Sequence, residues 1–213
     1  MIKLDSRLKA LLDDIKGPVV ADIGCDHGKL SVSALIKNKA DKVIAVDISP
    51  LSLNKTIELA NSECVSDRVD CRVSDGFEAI TESLDTAVIA GLGGYEIKDI
   101  LSKRVPQINR LIICPHQNAA VARKAINEFG FGAIKDYVTK SGDKFYQIIV
   151  AEKDAPAYAE EELRFGKNYP QNDDYLAMIK SRKKVLEDRF EGRSIPEGEM
   201  LKEYEELVKL CSR

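Results

Sequence analysis

One short segment combines residue types that could bind a cationic ligand. Asp22-Ile23-Gly24-Cys25-Asp26-His27-Gly28 follows an apolar β-branched run and precedes a helical pattern, which predicts a loop at the carboxyl end of a parallel strand. Glycines in such a loop let backbone approach a nucleotide-like ligand, and we expect free N–H groups to point outward toward it. Asp26 replaces the middle glycine of the dinucleotide motif Gly-x-Gly-x-x-Gly. By the sign of Coulomb's law, a carboxylate there favours an amine or sulfonium over a pyrophosphate.

Three further predicted strand ends carry residues suited to an adenosine. Asp47 lies roughly 20 residues after Gly24, where a carboxylate can accept both ribose hydroxyls. Asp75-Gly76 follows the third strand and offers an acceptor for an adenine amino group beside a glycine that leaves room for the ring. Ala90-Gly91-Leu92-Gly93-Gly94 follows the fourth strand and exposes backbone. Asp and Gly are common in turns, but four such features at one sheet edge predict a ligand-binding cleft.

The elements that must position these residues alternate between strands and helices, which is typical of βαβ units and a parallel sheet. The predicted strands are Val19–Ile23, Lys42–Val46, Val69–Val73, Thr86–Ala90 and Arg110–Cys114. The predicted helices are Lys29–Asn38, Leu51–Glu63, Glu96–Lys103 and Ala119–Phe129, after an amphipathic start that Gly17-Pro18 ends. Two more strand-like runs, Ala133–Thr139 and Lys144–Glu152, are joined by a short turn and predict an antiparallel hairpin. The fold class expected is α/β, with a Rossmann-like, mostly parallel sheet closed by that hairpin.

The composition changes after residue 153, where an acidic segment is followed by one rich in Gly, Asn and Pro. Apolar residues then recur at helical spacing from Leu176 to Phe190 and from Leu201 to Cys211, with Gly192 to Gly198 between the two runs. We therefore predict a sheet domain over residues 1–153 and a C-terminal helical hairpin over 154–213 that packs on itself or on the sheet.

The overall composition narrows the class of protein. The 213 residues are 44% hydrophobic and 31% charged with a net charge of −3, as in a folded globular protein without a strongly basic domain. The amino terminus lacks an apolar signal segment and no run is long enough for a membrane helix, so a cytoplasmic location is expected. Five cysteines without a Cys-x-x-Cys pair predict free thiols. The basic run Lys180–Lys184 is more typical of a solvated helix face than of a nucleic-acid site.

The series of motifs resembles the class I S-adenosylmethionine-dependent methyltransferases, which also close their sheet with an antiparallel hairpin. More narrowly, the chain is similar to the bacterial tRNA adenine-N1 methyltransferase family that acts on adenine 22. The motifs that carry the similarity are Ala21-Asp22-Ile23-Gly24-Cys25-Asp26-His27, Asp75-Gly76, Ile89-Ala90-Gly91-Leu92-Gly93-Gly94, Arg110-Leu111-Ile112-Ile113 and Lys144-Phe145-Tyr146-Gln147-Ile148-Ile149-Val150. The similarity spans most of residues 1–152. It implies S-adenosylmethionine as cofactor, tRNA as substrate and a helical C-terminal region.

The resemblance also implies roles for individual residues in an in-line displacement, in which adenine N1 attacks the sulfonium methyl and the protein supplies alignment and a dry cavity. Asp26 is the implied catalytic residue, because its carboxylate can orient the exocyclic amine or offset positive charge on the base. The implied cofactor-binding residues are Asp22, Gly24, His27, Asp47, Ile48, Asp75, Gly76, Ala90 and Gly91. The expected substrate contacts are Tyr95, Pro115 and His116, with phosphate contacts from Arg164, Lys167 and Lys180–Lys184 if the helices embrace RNA.

Other interpretations stay open. Asp26 can instead cap its loop by bonding backbone N–H groups, and His27 can be a helix-start residue without a ligand role. A methyltransferase for a small molecule or a protein is favoured by the acidic net charge and by Cys114-Pro115-His116, where the family usually has Gln-Pro-Asn. A third hypothesis is a cofactor-binding protein without catalysis, whose helical hairpin binds a partner.

Two further classes are disfavoured. A nicotinamide dehydrogenase is opposed by the missing middle glycine. A zinc site built from Cys25, His27, Cys114 and His116 is opposed by their spacing, so no metal is expected.

Overall fold

A computed structural model gives the structure of the protein and describes residues 2–103, 105–190 and 197–212. Its strands are β1 (Val19–Ile23), β2 (Lys42–Asp47), β3 (Val69–Val73), β4 (Leu84–Ala90), β5 (Ile108–Cys114), β6 (Phe131–Ser141) and β7 (Lys144–Lys153). Its α-helices are α1 (Ser6–Asp14), α2 (Lys29–Ile36), α3 (Pro50–Ser62), α4 (Gly94–Ser102), α5 (Ala119–Glu128), α6 (Asp173–Arg189) and α7 (Glu199–Cys211). Most of the predicted interhelical segment from Gly192 to Gly198 lies outside the described residues.

The sheet confirms the predicted architecture. Its strand order is β3-β2-β1-β4-β5-β7-β6; the first five strands in this order are parallel, and β7 is antiparallel to both of its neighbours. The strand order reverses between β1 and β4, and ligands of open α/β sheets bind at such a switch point, beyond the carboxyl ends of the strands.

Element ends differ from the predictions by a few residues, for local reasons. The helix predicted over Lys29–Asn38 ends at Ile36, and Asn38 has a left-handed φ of 52°, which does not continue a right-handed helix. The helix predicted from Glu96 begins at Gly94, because the Glu96 carboxylate accepts the N–H of Gly93 and caps the first turn.

Side-chain alternation along each strand buries both faces of the sheet. Val20 packs with Leu11 and Leu30 under α1 and α2, whereas its neighbour Ala21 belongs to the cluster that α4 and α5 cover, with Ile97 and Ile126. Since both faces are covered, a ligand reaches the sheet at the strand ends and the loops beyond them.

The C-terminal helices pack on each other and on β6, as predicted. Val138 of β6 shares a buried cluster with Ile179 of α6 and Leu207 of α7. No helix within the described residues is long and apolar enough to cross a membrane.

A buried polar group, here called the Arg123 cluster, fixes the connection between the sheet and these helices. The fully buried Arg123 of α5 donates from Nε and Nη2 to the carboxylate of Asp136 on β6, at 2.8 and 3.0 Å. Its Nη1 donates to the carbonyls of Leu163 and Arg164, and the Tyr158 hydroxyl donates to Asp136 at 2.8 Å. A buried guanidinium and carboxylate are tolerated only when nearly all of their hydrogen bonds are satisfied.

Candidate functional site

A cavity of about 1030 Å³ lies at the carboxyl ends of β1, β2, β3 and β4. Residues from all four predicted strand-end motifs line it. They are Asp22, Gly24, Asp26, His27, Asp47, Ile48, Asp75, Gly76, Ala90 and Gly91, with Tyr95 from α4. The structure therefore brings together every residue that the sequence assigned to the cofactor, the candidate catalytic Asp26 and one of the three substrate candidates.

The loop after β1 is held by hydrogen bonds to β2, contrary to the expectation of free N–H groups. The N–H groups of Gly24 and Cys25 donate to the Val46 carbonyl at 2.8 and 3.0 Å, and the Asp26 N–H donates to Asp47 Oδ2 at 3.0 Å. Sequence reasoning missed this because it treated the loop without its neighbouring strand. These amides are not available to cradle a phosphate, which agrees with the absent dinucleotide motif.

Gly28 is a position in this loop where the fold requires glycine. Its φ is +67°, and a Cβ there would lie 2.4 Å from Thr56 Cγ2 on α3. Because Gly28 has no side chain, α2 begins close to α3 and the loop turns sharply back toward the sheet.

Asp22 is a buried carboxylate at the floor of the cavity. The Ser31 hydroxyl donates to it at 2.6 Å, and burial raises the pKa of Asp22 to about 6 despite that hydrogen bond. A carboxylate held at this depth gains from a cationic ligand group, because a positive charge offsets the cost of burying the negative one.

Asp26 and His27 lie at the cavity mouth. The Asp26 side chain is 78% exposed and the residue has a left-handed φ of 51°. His27 Nε2 lies 2.9 Å from Lys55 Nζ, so the ring accepts a hydrogen bond from the ammonium there. Both side chains are placed to meet a molecule that enters the cavity from solvent.

Asp47 and Asp75 line the part of the cavity at the carboxyl ends of β2 and β3. The Asp47 carboxylate already accepts the N–H of Ser49 at 2.9 Å as well as that of Asp26, and each of its oxygens keeps acceptor capacity. Asp75 pairs with Lys103 Nζ at 2.6 Å. A Cβ on Gly76 would approach Ile100 to 3.0 Å, so glycine keeps this corner open.

The loops after β4 and β5 form one hydrogen-bonded unit. The His116 N–H donates to the Leu92 carbonyl at 3.0 Å, and the Gly94 N–H donates to the Gln117 carbonyl at 3.0 Å. A Cβ on Gly94 would lie 2.1 Å from the Asn118 carbonyl oxygen, so this close approach needs glycine.

The substrate candidates separate in the structure. Tyr95 is 67% exposed and lines the cavity, whereas Pro115 is buried and His116 is exposed beside the unit, and neither lines the cavity. A substrate contact by Pro115 or His116 stays a prediction.

Helix α1 contributes a cation that sequence reasoning missed. Arg7 lines the cavity, its Nη1 lies 3.6 Å from the Cβ position of Gly91, and its guanidinium stacks on the Tyr146 ring at 5.4 Å. Its buried Nε has no hydrogen-bond partner among the described residues. The available signal was a lone arginine in an amphipathic helix, and no local pattern relates such a residue to a strand end far along the chain.

The cysteines near the site are protonated thiols. Burial raises the pKa of Cys114 to about 12 and that of Cys25 well above its usual range, and a buried thiol is a poor nucleophile. Within the described ranges, no group of three or more His, Cys, Asp and Glu residues could hold a metal ion.

Comparison with known proteins defines the class. Residues 4–149 match the model of a methyltransferase domain family, and the chain belongs to this family. The chain is 31% identical over 159 residues to the tRNA (adenine(22)-N(1))-methyltransferase of Bacillus subtilis (strain 168), an alignment that covers 71% of this chain and 66% of that protein.

Two other matches describe the fold and the range of relatives. The structure of M. capricolum TrmK in complex with S-adenosyl-homocysteine has a TM-score of 0.86 at 22% identity and covers 98% of each chain, which confirms the fold. A ribosomal protein L11 methyltransferase of Methylococcus capsulatus is 32% identical over 100 residues, covering 47% of this chain and 34% of that protein.

Proposed function

We propose that the protein transfers a methyl group from S-adenosylmethionine to N1 of adenine 22 in tRNA. The observation that carries the proposal is the convergence of the four strand-end motifs on one cavity at the β1/β4 switch point of a methyltransferase-family chain. The name of the Bacillus subtilis relative supports the particular acceptor. A cytoplasmic location is part of the same proposal, since the tRNA substrate is found there.

The residues of the cavity fit this cofactor. Asp22 suits the ammonium of the methionine moiety. Arg7, a nearby cation whose Nε has no hydrogen-bond partner among the described residues, suits the carboxylate of the same moiety. Asp47 suits the ribose hydroxyls, and Asp75 beside Gly76 suits the adenine amino group. When bound, S-adenosylmethionine supplies an electrophilic methyl group on a cationic sulfur.

The protein has little acid–base chemistry to perform at the acceptor, because adenine N1 has a free lone pair at neutral pH. Its task is to align the base and to hold the charge that the base gains. Asp26, exposed at the mouth, places a carboxylate where it can offset that charge, and Tyr95 places an aromatic ring beside the entrance for stacking.

A second candidate is methylation of a protein or small molecule. It is favoured by the ion pairs of the C-terminal helices: Arg164 pairs with Glu199, Arg182 with Glu203 and Lys183 with Glu187. Much of the charge expected to hold RNA there is therefore neutralised within the protein.

Radiolabelled S-adenosylmethionine and unmodified tRNA test the first proposal. We expect label in 1-methyladenosine after nuclease digestion, and its loss when a transcript carries guanine at position 22. Cofactor binding without label in tRNA would contradict the proposal and favour the second candidate.

A further inference from the structure

A second, smaller depression lies next to the cavity, and we call it the cationic groove. It has a volume of about 400 Å³. Its lining residues are Ile2, Lys3, His27, Lys29, Lys55, Leu59 and Glu63. His27 and Lys29 also line the cavity, so the groove opens directly from the cavity mouth.

Three separate elements supply the charge of the groove. Lys3 precedes α1, Lys29 is the first residue of α2, and Lys55 is on α3. All three lysines are exposed, and Glu63 is the one carboxylate among the described residues that line the groove. The groove therefore carries a net positive charge although the whole chain is acidic.

The lysines of the groove are available to a ligand. Among the described residues Lys3 and Lys29 form no ion pair, and Lys55 contacts the neutral acceptor nitrogen of His27 at 2.9 Å. On the opposite rim of the cavity, Lys103 is held between Asp75 and Asp99 at 2.6 and 3.0 Å. Among the described residues, the lysines beside the cavity that form no ion pair therefore lie on the groove side.

We propose that the cationic groove binds backbone phosphates of the acceptor RNA, next to the nucleotide whose base enters the cavity. This inference rests on the proposed tRNA substrate and locates its contact surface. Phosphates flanking an inserted base must pass the cavity mouth, where Lys3, Lys29 and Lys55 attract them. Asp26 Oδ1 lies 3.4 Å from His27 Nε2 beside the groove, so the three lysines outweigh one further carboxylate there. Lysine ammonium groups on several elements favour phosphate over a base edge, because they offer charge without fixed hydrogen-bond geometry.

The test compares two double variants with the same change of charge. Lys3→Gln with Lys55→Gln alters the groove without touching residues that line the cavity, and the Gln amide can still donate to His27. The control variant, Lys37→Gln with Lys124→Gln, removes one exposed lysine directly after α2 and one on α5. Neither lysine forms a described ion pair or lines the groove or the cavity. For wild type and both variants, tRNA affinity is measured between 50 and 300 mM salt, roughly the range over which counterion release is resolved, together with S-adenosyl-homocysteine affinity.

We expect the groove variant to bind tRNA roughly tenfold more weakly at about 0.15 M salt and to lower the log–log salt slope by about 1.5, since each phosphate contact contributes roughly 0.7–0.9. Its affinity for S-adenosyl-homocysteine should stay within about twofold of wild type, and the control variant should bind tRNA like wild type.

Three outcomes would contradict the proposed role of the groove: an unchanged salt slope in the groove variant, an equal loss of tRNA affinity in the control variant, or a parallel loss of S-adenosyl-homocysteine binding in the groove variant. Failure of the proposed function is seen separately, as absence of 1-methyladenosine with the wild-type protein. If the wild-type protein methylates tRNA and the groove variant binds tRNA with normal affinity, the role of the groove is refuted and the proposed function is not.

Discussion

The Asp26 main-chain N–H donates to Oδ2 of Asp47 across 3.0 Å, which joins the loop after β1 to the end of β2. Asp47 thus both shapes the cavity mouth and faces the cavity. We expect Asp47→Asn to weaken S-adenosyl-homocysteine binding roughly 10- to 100-fold, because the loss of charge and of one acceptor oxygen costs about 1–3 kcal/mol. Isothermal titration calorimetry measures this. Asp41→Asn, at an exposed carboxylate just before β2, is the matched control, and equal affinities for the two variants would contradict the role of Asp47.

The pKa of Asp22 makes ligand binding depend on pH. Burial raises it to about 6, and a cationic ammonium binds the ionised carboxylate more tightly than the neutral acid. We therefore expect S-adenosyl-homocysteine affinity to rise between pH 5 and pH 7 and to level off above, with a flatter profile for Asp22→Asn. Identical profiles for wild type and variant would exclude Asp22 as the group responsible.

The same shift predicts the opposite trend for stability of the ligand-free protein. Because the folded-state pKa exceeds the unfolded value of 3.8, the folded state holds the extra proton between about pH 4 and pH 6. The contribution of Asp22 to the free energy of unfolding falls as pH rises through this window, by roughly 3 kcal/mol in total. Urea denaturation at pH 4.5 and pH 7.5 should show Asp22→Asn gaining stability relative to wild type at the higher pH.

Arg7 should act on the methionine end of the ligand alone. We expect Arg7→Met to weaken binding of S-adenosyl-homocysteine at least tenfold but to leave 5′-methylthioadenosine, which lacks the amino-acid carboxylate, within about twofold. Lys9→Met changes an exposed cation of the same helix and serves as control. If both ligands weaken equally in the Arg7 variant, the arginine supports the cavity wall through Tyr146 instead.

The Arg123 cluster should dominate the stability of the connection to the C-terminal helices. Removing one partner of a buried pair leaves an uncompensated charge, so Arg123→Met is expected to lower the free energy of unfolding by roughly 3–5 kcal/mol. Lys124→Met, at the adjacent exposed position of α5, should change it by less than about 0.5 kcal/mol. A small effect at Arg123 would show that the cluster is easily replaced.

The carboxylates of the site were predictable because each one follows an apolar run that reads as a strand, and parallel strands end at a common edge. Asp22, Asp47 and Asp75 reached one cavity for that reason. Arg7 was not predictable, because its approach to Gly91 depends on how α1 packs across the sheet. The same applies to the loop amides, whose acceptors lie on β2.

The proposed division after residue 153 stays a prediction, and hydrogen bonds cross it. Composition changes there, but Tyr158, Leu163 and Arg164 supply partners to the Arg123 cluster of the sheet. Composition reports what a segment is made of, whereas a boundary depends on which long-range contacts it makes.

The hydrogen-bonded unit formed by the loops after β4 and β5 also bears on how acceptor preference can change in evolution. Leu92, Gly94, His116 and Gln117 exchange backbone hydrogen bonds, and these depend on the backbone path of both loops. A loop transplanted singly from a relative would leave its old partner with broken bonds. New acceptor preferences at this wall are therefore expected to be inherited as a pair of loops, and a chimera that exchanges both should fold where either single exchange fails.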